Sequence, residues 1–298
     1  MHLTLLGFLW AVHLPDGVLT TPWLVGGFAV AAALMLIGGW RVRDDEVPKI
    51  ALLTAAFFVA TLIHVPIPAG PRAHLLLNGL LGIVLGPRVA LAIPIGLFLQ
   101  AALFGHGGFS TLGVNTCVMT FPALLAWGLF QALQRLPWIR HPFVRLAFVS
   151  WSVMMVLFTV VYSIALLATN PIGELASLNT QDADAIVFQP LSVCLILIAS
   201  LTVGWWESRL ENRPEFALGL LIGELAVLAT ILLNSLALLY GGEADWHTLA
   251  LVTVVVHLPI AIIEGIILGF IVGFLARVKP EILAWKLEKQ PCQDQTGA

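Results

Sequence analysis

Apolar residues run almost unbroken through this chain, interrupted only by short stretches rich in proline, glycine or charge. Bounding the runs at those interruptions predicts nine segments: 23 to 40, 50 to 66, 73 to 87, 88 to 104, 116 to 136, 144 to 169, 186 to 208, 215 to 240 and 248 to 276. A bilayer core of about 30 Å needs about 20 apolar residues in a helix, so runs of this length predict membrane-spanning helices. The third is the exception. Its length at about 1.5 Å per residue gives roughly 22 Å, too short to cross, so it reads either as a half-helix or as a bent partner of the fourth.

Composition agrees with the pattern. Of 298 residues, 59% are hydrophobic and 10% charged, which leaves too little polar surface for a water-soluble domain of this size. The expected fold is an all-α polytopic membrane protein, a bundle of about 7 to 9 transmembrane helices. One transmembrane domain spans 1–298, and residues 285–298 form a polar cytoplasmic tail. Cys117, Cys194 and Cys292 show no CxxC spacing and suggest neither a disulfide framework nor a thiolate metal site.

Charge gives orientation, because Lys and Arg collect on the cytoplasmic side. Counting the third segment as a crossing puts Arg41, Arg43, Lys49, Arg88, Arg135, Arg140, Arg145, Arg209, Arg213, Arg277, Lys279, Lys286 and Lys289 on one side and only Arg72 on the other. The loops 170 to 185 and 241 to 247 are acidic. The N-terminus is therefore expected outside and the C-terminus in the cytoplasm, in a multi-pass protein of the cell (inner) membrane.

This orientation places VHLPDG (12 to 17), IPAGPRAH (67 to 74) and FGHGGFSTLGVN (104 to 115) on the outer face, so that His13, His64, His74 and His106 share it. Neutral imidazole is the commonest ligand of divalent transition ions; a lone interfacial histidine is more often a polar tip at the headgroup level, and it is the convergence of four on one face that suggests a metal site. Proline and glycine crowd both loops, as suits irregular backbone lining a cavity or an ordinary surface loop. Asn115 and Thr111 can orient a ligating ring or serve turn chemistry. Within the apolar runs lie Glu224, Asn234, His257 and Glu264, and groups at that depth mark function by default. His257 and Glu264, seven apart, share a helix face and read as an ion path or as helix-to-helix hydrogen bonding. Gly27 with Ala31 and Ala29 with Ala33 recur at four-residue spacing that lets another helix approach.

Four stretches in order, HLPDGVLTTPW (13 to 23), AHLLLNGLLGIVLGP (73 to 87), LQAALFGHGGFSTLGVNT (99 to 116) and HLPIAIIEGIILGFIVGFLARVKPEIL (257 to 283), together resemble the CbiM/NikM family. These are the substrate-binding membrane subunits of energy-coupling-factor transporters for cobalt and nickel. The resemblance implies that a terminal amine, the main-chain nitrogen and ring of the next histidine, and a second histidine hold the metal. Carried over, the ligands are His13, His74 and the Val12 amine if Val12 is the true N-terminus. His106, Asn115 and Asp16 are the expected supporting residues. Four nitrogens in a plane suit Ni(II) and Cu(II).

The chain departs from the family pattern in carrying residues 1–11 before Val12. Three readings stand. Val12 is the start, from a GUG codon; or MHLTLLGFLWA is removed after Ala11, although it lacks a basic n-region; or the extension persists and Met1-His2 or the His13 ring alone takes the role. The first is favoured. The region 140 to 215 resembles the family least, and the apolar segments outnumber the family's usual seven or so.

The resemblance implies the substrate-capture subunit of an ATP-driven importer of Co(II) or Ni(II), supporting cobalamin or nickel-enzyme biosynthesis. No GxxxxGK[ST] occurs, so ATP hydrolysis falls to partners: two cytoplasmic ATPase subunits and a transmembrane coupling subunit, with a small accessory membrane subunit as a further candidate. The metal is expected as transported substrate, with membrane lipid around the chain, no nucleic acid and no organic cofactor. Two other classes stay open, an intramembrane metal-dependent enzyme and a free-standing secondary transporter. Against the first, HExxH and GxSxG are absent; against the second, no internal repetition is evident. Nitrogen ligands alone leave cobalt and nickel undistinguished.

Overall fold

The computed structural model of the chain describes residues 13–65, 73–135, 141–169, 181–209, 214–244 and 246–283. Each of the nine apolar runs becomes a helix. In order the elements are α1 (Thr21–Gly39), α2 (Val47–Thr61), β1 (His64–Val65), β2 (Ala73–His74), α3 (Asn78–Leu85), α4 (Val89–Phe104), α5 (Leu112–Leu133), α6 (Pro142–Thr169), α7 (Gln181–Val187), α8 (Pro190–Arg209), α9 (Pro214–Gly241) and α10 (His247–Val278). Proline stands in the first turn of α1, α2, α6, α8 and α9, where its missing N–H has no partner to lose. Two departures follow from tertiary pairing. Residues 64 and 65, the end of an apolar run, leave the helix for an antiparallel ladder with 73 and 74. Helix α7 occupies part of what the polar pattern reads as a loop, and it meets α8 at a bend of 55°.

Among the described residues, six helical stretches are long and apolar enough to cross a membrane, or up to seven if the bent α7–α8 pair is one span. Length and composition alone treat 78–104 as a single span. Geometry divides it. A straight helix of that length would hold its ends about 40 Å apart, yet the rings of His74 and His106, just beyond the two ends, lie 5.2 Å apart. The chain turns at Gly86, whose φ of 57° and ψ of −135° suit glycine alone, and Pro87 follows within the short 3-10 turn Gly86–Arg88. Helix α3 is therefore a half-helix of about 12 Å, and α4 carries the chain back.

Arg88 marks the far end of this hairpin. Its guanidinium donates to the carbonyls of Gly38, Trp40 and Arg41 at and just beyond the end of α1 and pairs with Glu46 at 3.0 Å. The basic end and the histidine end of the bundle are thus opposite, as the charge distribution requires.

Helix α3 is enclosed on all sides. Leu81 and Leu85 pack among Phe57, Ile93, Met119, Val227 and Ala261, while Ile83 packs with Phe130, Ile222 and Leu268. Gly82 lies against the Ala123 carbonyl, where no Cβ fits. This enclosure is what permits a helix to begin at membrane depth. Helices α9 and α10 cross through glycines spaced by four. A Cβ on Gly223 would sit 2.8 Å from Gly265 Cα, and one on Gly219 would sit 2.9 Å from Gly269 Cα.

Gly223→Val is therefore expected to destabilise the bundle by about 1–3 kcal/mol through overpacking, read as a lower thermal midpoint in detergent. Gly26→Ala, where an added Cβ meets nothing within 4 Å, should leave the midpoint equal or higher.

Candidate metal centre

The turn HLPDG leaves its own backbone without helix or sheet partners, and side chains from α5 and the loop before it supply them. The Leu14 N–H donates to Asn115 Oδ1 at 2.9 Å, and the Leu14 carbonyl accepts from Asn115 Nδ2 at 2.9 Å and from Thr111 Oγ1 at 2.6 Å. One carboxamide thus pairs with Leu14 as a neighbouring strand would. His13, one residue away, is 3% exposed. Asp16 ties the same turn to the loop 105–111: it accepts the N–H of Ser110 at 2.7 Å and of Phe109 at 3.2 Å, and the Ser110 hydroxyl. Burial raises the Asp16 pKa, but the hydrogen bonds from Ser110, Phe109 and Thr111 outweigh it and hold the carboxyl below its ordinary 3.8.

His74 comes from the β-ladder, where its backbone pairs with that of His64. Its side chain is fully buried. Nδ1 donates to the Leu75 carbonyl at 3.0 Å, which makes Nε2 the ring's acceptor nitrogen. The next two residues are fixed from across the bundle. The N–H groups of Leu76 and Leu77 donate to the two carboxylate oxygens of Glu264 on α10, the second at 3.0 Å. Asn78, at the start of α3, donates to Thr230 Oγ1 at 2.7 Å and to the Met119 carbonyl at 3.4 Å.

His106 follows the left-handed residue Gly105 that ends α4. Its N–H donates to the Gln100 carbonyl at 3.2 Å, and Gln100 Nε2 reaches Thr61 on α2. Gly107, with φ of 78°, passes so close to His13 that a Cβ there would lie 3.3 Å from the histidine Cβ. Glycine is required on both counts.

Three imidazoles thus converge from three separate loops. The His13 and His74 rings are 5.0 Å apart and inclined at 29°; His106 stands edge-on to both, at 5.0 and 5.2 Å. One ring nitrogen from each lies within 4.8 Å of the others. Nitrogens about 2.0–2.1 Å from a shared ion would be about 3–4 Å apart, so the rings need close by only about 1 Å. His106, expected as a support, stands level with the other two. Asn115 and Asp16 hold the loops that carry the rings.

The remaining expected residues separate. His257 donates Nδ1 to the Thr253 carbonyl one turn earlier on α10 at 2.8 Å. Glu264 reaches the segment after His74. Val12, residues 1–11, Arg72 and the 285–298 tail lie outside the described residues, as does the His64 side chain. Sequence reasoning missed Asn78 as a support of the His74 segment and Gln100 as a tie between α4 and α2. Both are polar residues fully buried within apolar runs, which was the available signal.

The fold and this cluster define a multi-pass membrane protein with a three-histidine pocket, His13 and His74 buried and His106 half-buried, at the end of the bundle opposite its basic residues. A family model described as the CbiM cobalt uptake substrate-specific transmembrane region matches residues 13–207 and 190–282, and the chain belongs to this family. A relative from Haemophilus influenzae named for metal transport is 47% identical over 121 residues, 41% of this chain and 58% of that protein. One from Methanocorpusculum labreanum named for cobalt transport is 28% identical over 286 residues, 91% of this chain and 92% of its own. The crystal structure of a transition metal transporter aligns with a TM-score of 0.50 at 20% identity, covering 92% of this chain and 96% of that one, and shares the fold.

A carboxylate held below its ordinary pKa ties the two loops fully at pH values above 3.8 and releases them as pH falls through the lowered value. Asp16→Asn imitates the released state at neutral pH. It is expected to speed amide exchange at Phe109 and Ser110, measured by hydrogen–deuterium exchange; wild-type protection would show that the carboxylate does not hold the loop.

Proposed function

We propose that this protein is the substrate-capture subunit of an ATP-driven importer for Co(II) or Ni(II). The observation that carries this reading is the convergence of His13, His74 and His106, with ligand nitrogens within 4.8 Å of one another. Neutral imidazoles bind divalent transition ions in preference to the harder alkaline-earth cations, which favour oxygen. The bundle end that bears them is the outer one by the positive-inside rule, so the ion is the substrate captured from outside.

Two donor sets are compatible with the arrangement. One is the three imidazoles. The other combines His74 with the His13 ring, the His13 main-chain nitrogen and a terminal amine at Val12. N-terminal mass spectrometry of the purified protein separates them, since the second requires a chain that starts at Val12.

Passage inward then requires the subunit to gate or reorient, driven by ATP hydrolysis in two cytoplasmic ATPase subunits through a membrane coupling subunit. Ala29 and Ala33 on the exposed face of α1 are candidate residues for that docking. Delivered metal would serve cobalamin or nickel-enzyme biosynthesis.

Purified protein titrated with Co(II) and Ni(II) is expected to bind one ion, and His74→Ala to weaken binding by more than about 100-fold, beyond the usual loss of an outer hydrogen-bond partner. Unchanged affinity in His74→Ala would refute the site. Uptake into proteoliposomes is expected only with ATPase and coupling subunits present; uptake by this chain alone would make it a free-standing transporter.

A further inference from the structure

A carboxylate in the middle of an apolar bundle is expensive unless its oxygens are satisfied. Glu264 is 3% exposed, and both oxygens accept main-chain N–H groups, those of Leu76 and Leu77. Those residues are the second and third after His74 and the last two before α3. Leu77 is itself in the left-handed region, with φ of 48°, a conformation that a leucine keeps only where its surroundings impose it.

The other end of this link is equally fixed. Glu264 is followed by Gly265, and a Cβ on Gly223 would lie 3.0 Å from the Glu264 carbonyl and 2.8 Å from Gly265 Cα. The backbone of α10 at this level is therefore seated directly on α9. Asn78 adds bonds to α9 and α5, so the segment after His74 is held by three helices at once.

We propose that Glu264 is the positioning residue of the metal site: its carboxylate sets the path of residues 75–77 and with it the place of the His74 ring, making α10 the helix whose displacement moves a ligand. The inference rests on the capture reading above. A carboxamide cannot replace the carboxylate, because glutamine has one acceptor oxygen and its NH2 group would face a second N–H. Glu264 binds the main-chain N–H groups of Leu76 and Leu77, so its effect on the ring passes through the Leu75–Leu77 backbone.

The test uses the full-length protein in detergent, with Co(II) as the probe and its visible absorption spectrum as the readout of ligand geometry. Glu264→Gln is expected to bind Co(II) about 10–100-fold more weakly, as for other outer partners of ligating histidines, with a shifted spectrum. In the metal-free protein it should lose exchange protection at Leu76 and Leu77. Glu264→Asp keeps the carboxylate one methylene short and should give intermediate affinity. Glu224→Gln, a buried acid of α9 that lines a different, apolar cavity with Trp151 and Met155, should leave the Co(II) spectrum unchanged. Wild-type spectrum and protection in either folded Glu264 variant would overturn the inference. Failure of the wild-type protein to bind Co(II) would instead overturn the capture reading, while the exchange measurement still decides the role of Glu264.

Discussion

Backbone that leaves regular structure inside an apolar bundle must find its hydrogen bonds there, and this protein is organised around one such segment. Residues 75–77 run from a two-residue ladder into a half-helix at membrane depth. Water is excluded at that depth, so each orphan N–H costs about 1–3 kcal/mol if unmet. The donors go to Glu264 and the acceptor side of Asn78 caps Gly79 N–H at 2.9 Å. The rest of the bundle follows from this. Helices α2, α4, α5, α9 and α10 close around α3, and glycines at 82, 223 and 265 let them come near enough to do so.

The half-helix also explains why the histidines meet. Had 78–104 crossed the membrane in one stroke, His74 and His106 would lie at opposite ends of the bundle. The turn at Gly86 returns the chain and brings both to the same end, where the HLPDG turn adds His13. None of the three loops is rigid by its own sequence. Each borrows stiffness from a neighbour: Asn115 holds the first, Glu264 the second, and Asp16 ties the first to the third. One ring nitrogen from each of the three histidines thereby lies within 4.8 Å of the others.

Family membership and geometry bear on different parts of the conclusion. The family match covers residues 13–282 in two overlapping stretches and identifies what kind of protein this is. It does not say which residues support the histidines. The hydrogen bonds do, and they distinguish Glu264, which reaches the segment beside a candidate ligand, from His257, whose Nδ1 bonds the preceding turn of its own helix.

The sequence by itself determined the environment and the number of apolar segments, and it predicts the sidedness. Apolar length and Lys/Arg placement report directly on transfer from water to lipid, which depends on each segment almost independently of the others. It also marked His13, His74 and His106 as outward loop residues, and left segment three open between a half-helix and a bent partner. Tertiary structure alone decided that His106 stands level with the other two rings, that 64 and 65 leave their helix for a ladder, and that Glu264 bonds to residues nearly two hundred positions away. Those outcomes depend on which distant backbone groups lack partners when the bundle closes, and no local pattern of hydrophobic and polar positions carries that information.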